Sequence, residues 1–328
     1  MTTTAPAKVT APAVRVRGLN KTFTTGSLLA RKRLHVLQDI DLTIDAGEIV
    51  ALVGESGSGK STLARCLARL EQPESGAVEV FGEDVLRTQR RGASRRYRSD
   101  VQMIFQDPFG SLNPTHRVES VLERSLRLHG GTGQSASGLR SRLVELVRTV
   151  DLDPAVLSAF PHELSGGQRQ RIAIARVLAV EPKIILADEP TSMLDVSVRI
   201  GILNLLAKLR DERGIAILYV THDLASARYL ADRTIVMNAG RMVEGGPSLE
   251  LLDDPRHPYT RLLVSAVPDP ERSEPFDAGA RAELRKEVEA WTSSPQQVTT
   301  AVSTAGDVGA ADGPTDSEHW VLMPQENR

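Results

Sequence analysis

Residues 54–61 read Gly-Glu-Ser-Gly-Ser-Gly-Lys-Ser, directly after the apolar run Ile49-Val50-Ala51-Leu52-Val53. The octapeptide fits the spacing G-x-x-x-x-G-K-[ST] and opens a helix beginning near Lys60. Glycine reaches backbone conformations closed to other residues, so several N–H groups can turn toward one polyphosphate. The helix start adds its partial positive charge at the same point. Lys60 then has the reach for the β- and γ-phosphates, and the Ser61 hydroxyl is placed to ligate magnesium. The plainer alternative, a glycine-rich turn before a helix, leaves the strand and helix context unexplained.

A second acidic site closes another apolar run, where Ile184-Ile185-Leu186-Ala187 leads into Asp188-Glu189. Adjacent carboxylates at a strand end repel one another unless a cation or a proton sits near them. Magnesium supplies that cation: Asp188 would bind it through water, and Glu189 would orient the attacking water as general base.

Further strands are expected over Val14–Arg17, Val36–Ile44, Ala77–Phe81 and Ile215–Val220, with a helix over Val196–Arg213 between the two buried runs of the second half. Thr234–Asn238 and Arg241–Glu244 flank Ala239-Gly240 and predict a hairpin. From Arg117 to about Val150 the pattern is helical, broken by the linker-like Gly130–Gly138. Gly166–Val180 is amphipathic and capped by Ser165. Strands alternating with helices give an α/β fold with a mainly parallel sheet and an inserted helical subdomain at about 107–180. Six arginines between Arg87 and Arg98 read as a solvated face.

Of the 328 residues, 41 % are hydrophobic and 25 % charged, which suits a globular protein with a sizeable core. A net charge of −2 argues against a general nucleic-acid binder. The single cysteine, Cys66, excludes an internal disulfide and a cysteine-built metal site. The start MTTTAPAKVTAPAV lacks the layout of a secretion signal, and no apolar run reaches 18 residues, so a cytoplasmic chain is expected.

Taken together, Gly54–Ser61, Gln106, Leu164-Ser165-Gly166-Gly167-Gln168, Asp188-Glu189 and His222 resemble the nucleotide-binding subunit of an ATP-binding-cassette transporter, over about residues 14–268. The resemblance implies a phosphate-loop core, an antiparallel β subdomain and a helical subdomain. It implies ATP and Mg2+ as ligands, with Gly54, Glu55, Ser56, Gly57, Ser58, Gly59, Lys60, Ser61 and Thr62 around the phosphates. Phe23 stands where an aromatic stacks on adenine, and Gln106 resembles the glutamine that touches magnesium and the attacking water. Ser165, Gly166, Gly167 and Gln168 resemble the motif that contacts the γ-phosphate held by an opposite cassette, a second glycine-rich helix start suited to an anion. Ser192-Met193-Leu194-Asp195 matches the loop that crosses the dimer interface, and His222 matches the histidine that contacts the γ-phosphate.

Phe105-Gln106-Asp107-Pro108-Phe109-Gly110-Ser111-Leu112-Asn113-Pro114 and His257-Pro258-Tyr259-Thr260 resemble the oligopeptide/dipeptide importer group. Some members carry a cysteine cluster in the carboxy-terminal extension, and this chain has none. Relatives that import nickel or oligosaccharides leave the solute open. The resemblance implies two membrane-spanning permease subunits, a second ATPase chain that is a paralogue or a copy of this one, and a solute-binding protein reached through the permeases. It also implies a peripheral position on the cytoplasmic face of the membrane. DNA-repair and translation ATPases share the motifs, but with long coiled coils, zinc modules or tandem cassettes that this sequence lacks. The expected divisions are a disordered 1–12, an ATPase domain over 13–250, an extension over 251–291 and a flexible tail over 292–328. Ala280–Trp291 is expected as a helix, and the tail ends in the apolar patch His319–Met323, docked as a strand or loop.

Overall fold

Alternation of branched apolar residues with polar ones builds the first sheet. Val14–Thr25 (β1) buries Val14, Val16 and Leu19, and Lys32–Ile44 (β2) pairs with it antiparallel while burying Leu37, Ile40, Leu42 and Ile44. Ile49–Val53 (β3) leaves this sheet for a second one. Ser75–Val80 (β4) and Glu83–Asp84 (β5) complete the first in the order β2-β1-β4-β5. The computed structural model describes residues 11–25, 32–107, 110, 112–129, 136–266, 278–293, 296–300 and 319–324.

The second sheet holds Val101–Ile104 (β6), Ile184–Asp188 (β7), Ala216–Thr221 (β8), Arg233–Asn238 (β9), Arg241–Pro247 (β10), Gln296–Thr300 (β11) and Trp320–Pro324 (β12) around β3. Its order is β11-β12-β10-β9-β3-β8-β7-β6, parallel from β9 to β6 and antiparallel from β9 outward to β11. β3, β7 and β8 are buried along their whole length, as strands covered on both faces must be. Their side chains therefore alternate between two cores. Ile49, Ala51 and Val53 face the cluster that includes Leu122, Leu143, Ile172 and Leu206. Val50 and Leu52 face the one that includes Leu63, Leu67, Val16 and Ile40.

Helices Val118–His129, Ala136–Thr149 and Gly166–Leu178 fill the stretch between β6 and β7. Val118, Leu122 and Leu126 fall four residues apart and are all buried. The expected hairpin is present, with Ala239 and Gly240 both at positive φ, the geometry that matches strand twist. The six arginines of 87–98 are exposed.

Several expectations need correction. The helix after the phosphate loop spans Lys60–Leu67, and the chain leaves it through Arg69 at a φ of 59°. Residue 136 already begins a helix, so the break after His129 is shorter than 130–138; residues 130–135 lie outside the described residues. The helix near Ala280–Trp291 runs from Ala278 to Ser293. The region 292–328 is not simply a flexible tail, for Gln296–Thr300 pairs with Trp320–Pro324 in the main sheet. The pairing is long-range and satisfies backbone groups that a composition argument cannot see. Residues 301–318, and 1–10 of the expected disordered start, lie outside the described residues.

Candidate functional site

The strand ends β3, β7 and β8 point three loops to one edge of the sheet, and the site forms there. After Val53 the backbone turns through Gly54, Gly57 and Gly59, all at positive φ, into the helix Lys60–Leu67. Two of these glycines are required by space as well. A Cβ on Gly54 would lie 2.1 Å from the Met237 carbonyl oxygen, and one on Gly59 would lie 2.6 Å from that of Val36. At Gly57 the same Cβ would meet nothing within 4 Å, so the loop opens outward there.

Lys60 is buried, and its ammonium folds back onto its own loop. It donates to the carbonyls of Gly54 at 2.8 Å and Glu55 at 2.7 Å. Burial pushes its pKa down, while the charges of Glu189, Asp188 and Glu55 pull it back up. Ser61 donates its hydroxyl to Asp188 Oδ1 at 2.8 Å across 127 residues of chain. Asp188 is only 4 % exposed, and burial raises its pKa against the Ser61 hydrogen bond and the charge of Arg65. A buried carboxylate in that condition favours a neighbouring cation.

Glu189 stands between two partners. Gln106 Nε2 donates to its Oε2 at 2.9 Å, and His222 Nδ1 lies 3.2 Å from its Oε1. Its backbone is left-handed, with φ 45°, and is held there by its N–H donating to the Val220 carbonyl at 2.9 Å. A non-glycine residue in that region carries strain that its surroundings must hold, and such strain gathers at functional positions. Residues just after β6 and β8 thus converge on the carboxylate that follows β7.

The donor set suits magnesium. That ion takes one or two carboxylates together with substrate phosphates and water rather than a full protein cage. Asp188 and the Ser61 hydroxyl are hard oxygen donors side by side, and among the described residues there is no group of three or more His, Cys, Asp or Glu that could hold a metal without a substrate. The cradle left open at Gly57 likewise fits a phosphate group.

Ser165 begins the helix Gly166–Leu178 with a reciprocal cap. Its hydroxyl accepts from the Gln168 N–H at 3.2 Å, while the Gln168 side chain accepts from the Ser165 N–H at 2.9 Å. Gly167 is needed because a Cβ there would meet Val198 Cγ1 at 2.4 Å. Beside this helix start Met193, Val196 and Ile200 are exposed by 59 %, 70 % and 47 %. Among the described residues, Ser165–Gln168, Asp195, Thr62 and Phe23 make no hydrogen bond to the Lys60–Ser61–Asp188–Glu189 cluster. Asp195 begins the helix Val196–Arg213 without capping it by its side chain. The Phe23 ring faces the Lys21 ammonium, 4.7 Å from its centroid. Pro108, Phe109 and Ser111 lie outside the described residues.

One contact has no signal in the sequence. The hydroxyl of Tyr259 accepts from the Glu55 N–H at 2.8 Å, joining the phosphate loop to a helix 204 residues away. The string His257-Pro258-Tyr259 marks a group in the sequence, but nothing in its spacing points to the loop.

Comparison with known proteins places these features in a setting. Residues 37–192 match the family described as ABC transporter, and residues 243–290 match the family described as oligopeptide/dipeptide transporter, C-terminal region. A Brucella ovis protein that carries the provisional name peptide import ATP-binding protein is 44 % identical over 260 residues, covering 79 % of this chain and 80 % of its own. A glutathione import ATP-binding protein of Salmonella choleraesuis is 44 % identical over 270 residues, covering 80 % of this chain and 43 % of its own. Among solved structures, a dimeric bacterial ABC transporter cassette superposes with a TM-score of 0.64 at 31 % identity, covering 72 % of this chain and 98 % of the other. The same cassette in a post-hydrolysis dimer bound to ADP and phosphate superposes with a TM-score of 0.61 at 31 % identity.

Proposed function

The chain belongs to the ABC transporter family and hydrolyses ATP in the service of transport, and we propose that it powers an importer of peptides or a closely related small solute. The observation that carries the catalytic part of this reading is the convergence of Gln106 and His222 on Glu189, beside the Ser61–Asp188 pair.

The loop Gly54–Ser61 holds the phosphates with its N–H groups, and Lys60 turns from the carbonyls of Gly54 and Glu55 to the β- and γ-phosphates. Ser61, Gln106 and, through water, Asp188 would hold magnesium, which would supply positive charge beside the phosphate oxygens. Glu189 accepts a proton from the attacking water, and Gln106 and His222 fix its carboxylate in position. His222 is more than half exposed, which leaves its ring accessible to a γ-phosphate. Phe23 offers a face for adenine.

Ser165–Gln168 point their helix start outward, and Met193 and Val196 lie exposed beside them. We assign this face to a second cassette, with Asp195 on the seam, so that each ATP lies between the loop of one chain and Ser165–Gln168 of the other. ATP then favours the closed pair by its differential affinity, and hydrolysis releases it. No helix among the described residues is long and apolar enough to cross a membrane. We assign solute passage to two permease subunits, one of which lays a short helix on the surface near Gln106–Pro114. The chain then sits at the cytoplasmic face of the membrane.

The test is reconstitution with the permease subunits and the solute-binding protein in vesicles. ATP turnover should rise several-fold when the binding protein carries a di-, tri- or oligopeptide. Stimulation by nickel or an oligosaccharide, with none by any peptide, would contradict the peptide assignment.

A further inference from the structure

Glu244 lies on β10 with no exposure at all. A carboxylate so placed must be paired or hydrogen-bonded, because leaving its charge unmet in the interior is costly. It is met from two directions. His319 Nε2 lies 2.6 Å from Oε1, and the backbone N–H groups of Arg256 and His257 donate to the two oxygens at 2.8 and 3.1 Å. Glycine at 245 and 246 lets the chain bearing His319 approach. A Cβ on Gly245 would lie 2.7 Å from the Trp320 ring, and one on Gly246 would lie 2.9 Å from His319 Cα. One buried carboxylate therefore fastens β12 and the turn before the helix Pro258–Val264 to the same strand.

That turn aims Tyr259. The His257 Nδ1 accepts from the Tyr259 N–H at 3.1 Å and starts the helix, while the His257 ring meets Trp291 edge-on at 4.9 Å. Tyr259 is 3 % exposed, and its hydroxyl accepts from the Glu55 N–H. The peptide unit between Gly54 and Glu55 is thereby engaged at both ends: its N–H meets Tyr259, and its carbonyl, that of Gly54, meets the Lys60 ammonium.

We propose that Tyr259 is a positioning residue for the phosphate loop, aimed by the clamp that Glu244 builds with His319 and the His257 turn. The proposal rests on the reading that residues 54–61 hold the phosphates of ATP. When Lys60 leaves the Gly54 carbonyl for a phosphate, the 54–55 peptide loses one of its two restraints. The Tyr259 hydroxyl is the other, and it keeps the turn from rotating while the N–H groups beyond it face the ligand. Among the described residues, Glu244, His257, Tyr259 and His319 make no hydrogen bond or ion pair with Glu189, Gln106 or His222, so the effect belongs to nucleotide binding and not to the chemical step.

Tyr259→Phe keeps the ring packed and removes only the acceptor. In the full chain, the Kd for ATP by calorimetry and the KM should rise together by about three- to tenfold, the loss of one hydrogen bond, while kcat at saturating ATP stays within about twofold. His319→Ala, remote from the loop, should raise the Kd in the same direction by about two- to threefold. An unchanged Kd in Tyr259→Phe overturns the proposal, even if the urea midpoint falls, because the residue would then be structural only. An unchanged Kd in His319→Ala removes the clamp from it. A parent chain that binds no ATP refutes the phosphate-loop reading itself, which separates the two failures.

Discussion

At the scale of single residues, Lys60 and Glu189 have different tasks in the proposed reaction. Glu189→Gln keeps the shape of the side chain and removes its basicity. We expect kcat to fall by about 10²- to 10⁴-fold, with the Kd for ATP within about threefold, measured by phosphate release and calorimetry on the same preparation. Lys60→Ala removes a charged donor that phosphates would take up. We expect ATP affinity to fall about 10- to 100-fold, the range for a charge-assisted hydrogen bond, and an unchanged calorimetric Kd would contradict its phosphate role. Much of this site is written in local strings. Gly54–Ser61 stands out because its glycines, lysine and serine follow a phosphate-loop spacing after a strand, and Asp188-Glu189 does so because two carboxylates close an apolar strand. The left-handed backbone of Glu189 and the hydroxyl of Tyr259 on Glu55 were not legible. Both depend on partners from distant strands, and no spacing along the chain encodes them.

At the scale of elements, buried strands such as β3, β7 and β8 were readable because being covered on both faces demands unbroken runs of apolar residues. β11 was not. Gln-Gln-Val-Thr-Thr has a single aliphatic residue, and its pairing with β12 arises from a segment some twenty residues further on. The element carrying His257 makes a prediction about pH. Burial lowers its pKa from 6.5 to about 4, so the folded chain keeps it neutral where the unfolded chain takes up a proton. Because the unfolded state binds more protons in that window, stability falls as pH drops from about 6.5 to 4, by about 3 kcal/mol at most from this group. His257→Asn keeps an acceptor at the start of the helix but does not titrate there. Its urea midpoint should fall less than that of the parent between pH 7 and 4.5, and parallel curves would show that His257 is not the group responsible.

At the scale of the whole molecule, the outward-facing Ser165–Gln168 matters most. Among the described residues no hydrogen bond or ion pair joins this helix start to the Lys60–Ser61–Asp188–Glu189 cluster, yet the proposed function has both meet the same phosphates. The head-to-tail pair proposed above would resolve the separation, since each site would then draw on two molecules. Exposed Met193 and Val196 would give such a pair an apolar seam. The importer assembled with its permeases and carrying Glu189→Gln, trapped with magnesium and ATP, can be imaged directly. The γ-phosphate on loop 54–61 should lie within hydrogen-bond distance, roughly 3 Å, of the Ser165 hydroxyl and the Gly167 N–H of the facing cassette, or of the equivalent groups if that cassette is a paralogue. A triphosphate seated on that loop with no second cassette over it, and Ser165–Gln168 turned to bulk water, would contradict the account.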